Sequence, residues 1–511
     1  MSIATVNPRD AEAPFVLTID IGSSSVRTMI YDRHGRSLKG VFASRPLRLE
    51  TPERGAAEYQ PDALLERVSG CLDEVLVLAA PWADEVGGVG MSTLVSSILG
   101  VDDRGRAITP AYTYADTRAH PDTVALRNEF DEKEIHNRTG CRLHTSYLPA
   151  RFRWLARSRP NELRRAKFWI SIGEYILLRF FGRRQVSYSV ASWTGLLDRR
   201  RLTWDVALLE VLPIGPEHLS QLTDFDDPFA GLRGEFASRW PALRRVPWFP
   251  ALGDGAAANI GTGCVSAHMM ALSLGSTAAL RVVTSDLVPE LPASLWCYRV
   301  DRRRFLLGGA LTEGGNVFEW MNRILNLRDR AQTEQAVAAF EPDSHGLTIL
   351  PFLAGERSPG WADHALGTIH GLSLGTTSTE ILRAGLEAVA LRLALVYRDL
   401  VRLIPELKLV VASGGATGSA TWLQMIADAL GQTVAAAAVV EASSRGVALM
   451  VGEVLGISSG SVRPSDSTIA FYQPDPSRHR RYRQALQRQE SLYTNLVARP
   501  FASPPNSVSK A

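Results

Sequence analysis

The chain has 511 residues, 45% of them hydrophobic and 21% charged, with a formal net charge of +3. That length is too great for one hydrophobic core and requires at least two domains. The composition is that of a soluble globular protein, and so small a charge argues against nucleic acid as a partner. The basic clusters at 151–159 and 199–201 read as solvated faces. No apolar run is long enough to span a membrane, so no membrane partner is expected; the longest, 168–181, holds Glu174 and Arg179 and reads as a buried helix. Cys71, Cys141, Cys264 and Cys297 stand at long, irregular separations. They match neither a zinc site nor a disulfide framework and read as isolated thiols in a reducing compartment. The first residues lack the basic start and apolar run of a signal peptide, so a cytoplasmic protein is expected.

Residues 1–14 read as a flexible lead. Val16 to Tyr31, VLTIDIGSSSVRTMIY, follow as strand, turn and returning strand. The tip holds Gly22, Ser23 and Ser24, with Arg27 just beyond. It either cradles a phosphate with amides and hydroxyls or is an ordinary Ser/Gly turn. Asp20, at the strand end, can hold magnesium through water. Val41 to Leu49 is extended. The spacing of Leu64, Leu65, Val68, Leu72, Val75 and Leu76 predicts a helix over 61–80, opened by Pro61. Val86 to Met91 is a strand, and the hydroxyl-rich 92–97 after it lies where ligand loops occur in α/β folds. In Tyr112 to Arg118, Asp116 and Arg118 can contact a polyhydroxylated ligand, and Arg118 can pair with a ligand carboxylate. The same two residues can equally fix a loop. His120 to Gly140 and Tyr147 to Arg157 read as helices, and the hydroxyl-rich 187–197 faces the ligand side.

Val246 to Gly263 runs into Gly253-Asp254-Gly255 and a small-residue helix. Asp254 then lies at a helix N-terminus, flanked by glycines that admit close approach. It reads either as the base that takes a proton from an attacking hydroxyl or as a helix cap. Ala271 to Val283 repeats the hairpin device, with Gly275, Ser276 and Thr277 at its tip. Two such hairpins suggest an internal duplication serving a nucleotide triphosphate. Glu356 and Arg357 read as a lock between loops, and 379–403 as the longest helix. Leu409 to Ala412 runs into Gly414, Gly415, Ala416 and Ser419 before a helix over 421–430. A glycine-rich strand-to-helix turn suits adenosine and phosphate, although it is not a GxxxxGK[ST] loop. Glu441 opens another small-residue helix, 457–471 reads as loop, and 472–496 as an outer closing helix before a disordered tail.

Five ordered motifs resemble the FGGY carbohydrate kinase family, of the sugar kinase/heat-shock-protein-70/actin superfamily. They are DIGSSSVR from Asp20, GDGAAANIGTG from Gly253, LSLGSTAALR from Leu272, GLSLGTTSTEILRAGLEAVA from Gly371 and SGGATGSATWLQMIADALGQTV from Ser413. The resemblance implies an α/β fold of duplicated ribonuclease-H-like (actin-like ATPase) domains around a cleft. The expected division is a sugar-binding domain over 14–255, an ATP-binding domain over 256–460 and a helical extension over 461–511. Carried over, Asp254 is the base, and Asp20 and Asp254 are the magnesium residues. Gly22, Ser23, Ser24, Arg27, Gly275, Ser276 and Thr277 face the phosphates, and Gly414, Gly415, Ala416 and Ser419 line the adenosine site. The expected cofactors are ATP and Mg2+.

Within the family, YTYADTR, GEYILLRFFG and SVASWTGLLDRRRLTWD resemble gluconokinases. That implies phosphorylation of a primary hydroxyl, gluconate to 6-phosphogluconate, with Asp116, Arg118, Leu94 and Val95 beside the sugar. Leu94-Val95 stand where such members carry a Met-His pair. The alternatives are a xylulokinase or another pentulose or polyol kinase, and, outside catalysis, a nucleotide-dependent scaffold or sugar sensor. The expected partner is a small sugar or sugar acid, and a homodimer is compatible with the sequence.

Overall fold

The computed structural model describes residues 5–327, 329–439, 441–457 and 468–498. By compactness the chain forms two units: residues 1–269, 281–307 and 437–468 make the first, and 270–280, 308–436 and 469–511 the second. These compact units are interleaved along the chain.

The first unit is built on a mixed six-stranded sheet. Its strands, in spatial order, are Thr5–Val6, Ser37–Pro46, Ser25–Tyr31, Phe15–Ile21, Val86–Thr93 and Leu252–Gly253. Phe15–Ile21 and Ser25–Tyr31 pair antiparallel, with Asp20 opposite Arg27, so the expected hairpin forms. Phe15–Ile21 also pairs parallel with Val86–Thr93, which sets Asp20 beside Ser92. Every residue of Phe15–Ile21 is buried, as befits a strand covered on both faces. The helix Pro61–Leu78 begins with its proline and buries Leu64, Leu65, Val68, Leu72 and Val75, packing on the strands Ser25–Tyr31 and Ser37–Pro46.

The other face of this sheet takes a helix from far along the chain, Ala442–Val454. Val86–Thr93 admits it through glycines. A Cβ on Gly90 would lie 2.4 Å from Val447, and one on Gly88 2.7 Å from Val451. The same helix crosses Asp254–Gly261 at backbone distance: a Cβ on Gly446 would come within 1.8 Å of the Ala257 carbonyl, and one on Gly261 within 1.8 Å of the Ala442 carbonyl.

The second sheet has seven strands. Its order is Trp296–Arg299, Phe305–Leu311, Ala278–Thr284, Met269–Leu274, Leu409–Ser413, Val434–Ala437 and Thr468–Tyr472. Met269–Leu274 and Ala278–Thr284 are neighbours, as the second hairpin requires. Taking Phe15–Ile21 and Met269–Leu274 as first strands, and setting aside the edge strands Thr5–Val6, Trp296–Arg299 and Thr468–Tyr472, both sheets share the order third, second, first, fourth, fifth. That repeated order is the structural trace of the duplication. The long helix Ser378–Leu403 opens with a capping box between Thr377 and Glu380. It packs against Ala420–Leu430, where the Trp422 indole donates to the Leu386 carbonyl at 3.1 Å.

Three local expectations change. Residues 5–10 are not a loose lead: Thr5–Val6 pairs parallel with Ser37–Leu38, and Pro8–Asp10 is a 3-10 turn. The stretch 120–140 is two helices, broken at Phe130; Asp131 caps the second by accepting from the Lys133 and Glu134 amides. Thr468–Tyr472 is a strand rather than loop; 458–467 and the tail after 498 lie outside the described residues. Pro476–Tyr493 forms the expected last helix. All four cysteines are buried free thiols. Among the described residues no helix is long and apolar enough to cross a membrane.

Candidate functional site

The carboxylates of the first unit gather at strand ends. Asp20 is buried, accepts a hydrogen bond from the Ser92 hydroxyl and lies 3.7 Å from the Arg27 guanidinium. Burial raises its pKa, while Ser92 and Arg27 hold it back. Arg27 also bonds Glu441 at 2.6 Å, and burial raises Glu441 in turn. Asp254 follows the strand Leu252–Gly253 as the first residue of the helix Asp254–Gly261. It is not the cap of that helix, a position held by Gly253. Its carboxylate accepts from the Gly255 amide at 2.7 Å. Burial pushes Asp254 up to about 6; the Arg281 charge and the Gly255 amide lower it, and the Asp20 charge raises it. A carboxylate whose pKa is raised in this way is suited to accepting a proton near neutral pH.

Asp20, Asp254 and Glu441 are hard oxygen donors near two guanidinium groups, a set that fits a magnesium ion held partly through water. Their ligand atoms do not form a tight cluster. Among the described residues the one such cluster is Asp343, His345 and Glu387 of the second unit. There Glu387 is already held by Arg383 at 2.6 Å and by His345 at 3.0 Å.

The tip of the first hairpin is closed by the Gly22 amide on the Ser25 carbonyl at 3.0 Å, with Ser23 and Ser24 exposed. The Tyr59 hydroxyl pins the Ser23 carbonyl at 2.5 Å. Leu94 is packed in the core, and Val95 lies beside Gly253. Asp116 and Arg118 form the loop-fixing pair. The Arg118 guanidinium bonds Asp116, Glu53 and Glu58 and lies 4.4 Å over the Trp154 ring.

In the second unit, the Gly275 amide reaches the Thr277 carbonyl at 3.0 Å and leaves Gly275, Ser276 and Thr277 exposed. The turn is fixed from behind: the Gly315 amide donates to the Gly275 carbonyl at 2.8 Å, and the Asn316 amide to that of Ser276 at 3.2 Å. Gly414 has φ 104°, and a Cβ there would lie 2.5 Å from the Leu274 carbonyl. Glycine is therefore required at this turn. Residues 415–418, including Ala416, form a 3-10 turn, and Ser419 caps the helix Ala420–Leu430. The Ser419 hydroxyl donates to Glu334 at 2.7 Å. A cavity of about 790 Å³ lies against Gly275, Ser276, Asn316, Gly415 and Ser419, a volume suited to a nucleotide. The structure thus gathers the second hairpin and the glycine-rich turn around one cavity.

Glu441 and Arg281, which the sequence does not single out, stand beside Arg27 and Asp254 and join the candidate set. Arg281 stands inside a quoted motif, in the middle of the returning strand Ala278–Thr284. Glu441 carries no sequence signal beyond preceding a small-residue helix.

The sequence matches the FGGY family of carbohydrate kinases, N-terminal domain, over residues 15–261 and its C-terminal domain over 270–452. It is 25% identical to a gluconokinase of Bacillus subtilis (strain 168) over 448 residues, covering 85% of this chain and 86% of that one. It is 27% identical to a glycerol kinase of Citrifermentans bemidjiense over 485 residues, covering 91% and 96% respectively. The fold superposes on a gluconate kinase from Lactobacillus acidophilus with a TM-score of 0.86 at 24% identity, covering 95% of this chain and 98% of that chain. A ligand-bound xylulose kinase from the same organism also gives a TM-score of 0.86 at 24% identity, covering 94% and 98%. With both family domains matched in order on two sheets of the same strand order, the chain belongs to the FGGY family of carbohydrate kinases.

Proposed function

We propose that this kinase transfers the terminal phosphoryl group of ATP to a primary hydroxyl of a sugar acid, converting gluconate to 6-phosphogluconate. The observation that carries the reading is Asp254: a half-buried carboxylate at a helix start, flanked by glycines and hydrogen-bonded by the Gly255 amide. It takes the proton of the attacking hydroxyl. The first unit, on a ribonuclease-H-like fold, binds the acceptor, and the second binds ATP in its glycine-lined cavity. In the second unit Gly275, Ser276 and Thr277 hold the ATP phosphates; Gly22, Ser23, Ser24 and Arg27 are the phosphate-binding counterpart in the first. Asp20 and Asp254, joined by Glu441, are the residues that would hold magnesium, which when bound neutralises phosphate charge. Catalysis on this reading is positioning and electrostatics.

Arg118 is the cation for the sugar carboxylate. Of its three carboxylate partners, Glu53 has a side chain 50% exposed, against 9% for Glu58 and 3% for Asp116. Glu53 is therefore the partner a substrate carboxylate would displace. Val95, beside Gly253, shapes the apolar side of the acceptor site, while Leu94 is core packing. A transfer assay with purified protein against gluconate, xylulose, ribulose and glycerol tests the assignment. Highest kcat/KM on gluconate supports it. A preference for xylulose or glycerol moves the substrate within the family, and ATP turnover indifferent to all four removes the acceptor reading.

A further inference from the structure

Gly253 and Gly255 flank Asp254, and the sequence reading gave that space to substrate. In the folded chain an aromatic ring occupies it. A Cβ on Gly253 would lie 2.9 Å from the Trp193 indole nitrogen, and one on Gly255 would lie 3.1 Å from the far edge of the same indole. One long edge of Trp193 therefore spans both glycines beside the carboxylate. The ring is held on other sides too. It stacks on Tyr298 at 3.7 Å between centroids and 24° between planes, and Tyr298 stacks on Trp296 at 4.3 Å. The Tyr147 and Tyr298 hydroxyls bond at 2.6 Å. The Trp193 carbonyl accepts from the Ser96 hydroxyl at 2.6 Å. Ser96 itself has φ 55°, a left-handed conformation that turns the chain back toward this ring just after Val95.

Tyr147, Trp296 and Tyr298 are buried at 3%, 2% and 2% exposure, while Trp193 stays partly exposed. Its indole N–H finds no hydrogen-bond acceptor among the described residues. A rigid stack with one partly exposed member next to a proton acceptor is more than core packing requires. Carbohydrates present apolar C–H faces between their hydroxyls, and an aromatic plate recognises such a face while leaving the hydroxyls to polar partners.

We propose that Trp193 is a specificity-determining residue of the acceptor site. It is the exposed member of an aromatic platform against which the C–H face of a polyol or sugar lies while a hydroxyl is presented to Asp254. This inference rests on the kinase reading of Asp254 and adds to it the surface that selects the acceptor.

The test uses the full chain with Trp193→Ala and Trp193→Phe. Two quantities are followed across the acceptor panel: KM and kcat for phosphoryl transfer, and acceptor affinity by calorimetry without nucleotide. For the alanine variant, acceptor KM and Kd are expected to rise about tenfold, with KM for ATP unchanged; phenylalanine, which keeps a stacking face, should restore most of the loss. Acceptor KM and Kd unchanged in Trp193→Ala, with wild-type turnover intact, would overturn the platform and leave the kinase reading standing. A phenylalanine variant as impaired as alanine, with ATP KM raised alongside, would also overturn it, because the ring would then serve structure alone. A wild-type protein that binds and phosphorylates nothing in the panel would remove both.

Discussion

The crossing of the helices Asp254–Gly261 and Ala442–Val454 fixes where Asp254 stands, and Gly446→Ala tests it. A helical glycine replaced by alanine ordinarily gains about 1 kcal/mol. Here the new Cβ would fall 1.8 Å from the Ala257 carbonyl and 2.9 Å from the Gly261 amide nitrogen. Both obstacles are backbone, so no rotamer change relieves them, and the helices must part. Overpacking costs about 1–3 kcal/mol, and a backbone clash puts the cost at about 3 kcal/mol. The net expectation is destabilisation by about 2 kcal/mol, a drop of roughly 4 °C in Tm for a unit of this size. The matched control is Gly234→Ala. It replaces the first residue of the helix Gly234–Arg239, where a Cβ meets nothing within 4 Å, and should be neutral or stabilising by up to about 1 kcal/mol. Urea and thermal unfolding of both variants read the difference. Because the parting moves the helix that carries Asp254, kcat of Gly446→Ala should also fall by about tenfold or more. A Gly446→Ala protein as stable and active as Gly234→Ala would refute the close crossing.

Other consequences follow from buried charge. His136 is buried with its ring nitrogen 2.8 Å from the Leu295 carbonyl, and burial lowers its pKa from 6.5 to about 4. The unfolded chain therefore takes up a proton between those values that the native state does not. Stability should fall as pH drops from 6.5 toward 4, by up to about 3 kcal/mol, and His136→Asn should flatten that slope in urea titrations. Glu356 is buried against Arg392 and the Tyr493 hydroxyl, the latter at 2.7 Å. Arg392→Met strands that carboxylate and should cost about 3–5 kcal/mol, read by the loss of second-unit unfolding cooperativity. Gly414→Ala should weaken ATP binding measured by calorimetry, since φ 104° and the Leu274 carbonyl leave no room for a side chain; unchanged affinity would count against the turn as part of the nucleotide site.

What the sequence disclosed was mostly local. The two hairpins, the strand-to-helix turn at Ser413 and the helices at Pro61 and Ser378 announce themselves through period, caps and glycine, and all form. Asp254 was legible because glycines on both sides of a carboxylate are informative; what they accommodate, the Trp193 ring, was not. The packing of Ala442–Val454 on the first sheet was hidden because it joins segments more than 350 residues apart through Gly88 and Gly90, and no periodicity within either segment reports the other. Glu441 was hidden for the same reason: only folding brings it to Arg27. Arg118 reads equally as a ligand contact or a loop lock, and the sequence does not show that Glu53 and Glu58, some sixty residues earlier, bond it, so that a substrate carboxylate has to displace Glu53.

The account turns on whether the Asp254 carboxylate does the proton transfer. The direct measurement is single-turnover phosphoryl transfer to the best acceptor by Asp254→Asn, alongside ATP affinity by calorimetry. Transfer slowed by about a hundredfold or more with ATP affinity retained is expected of a lost general base. Transfer at the wild-type rate by an Asp254→Asn protein that still binds ATP would contradict it.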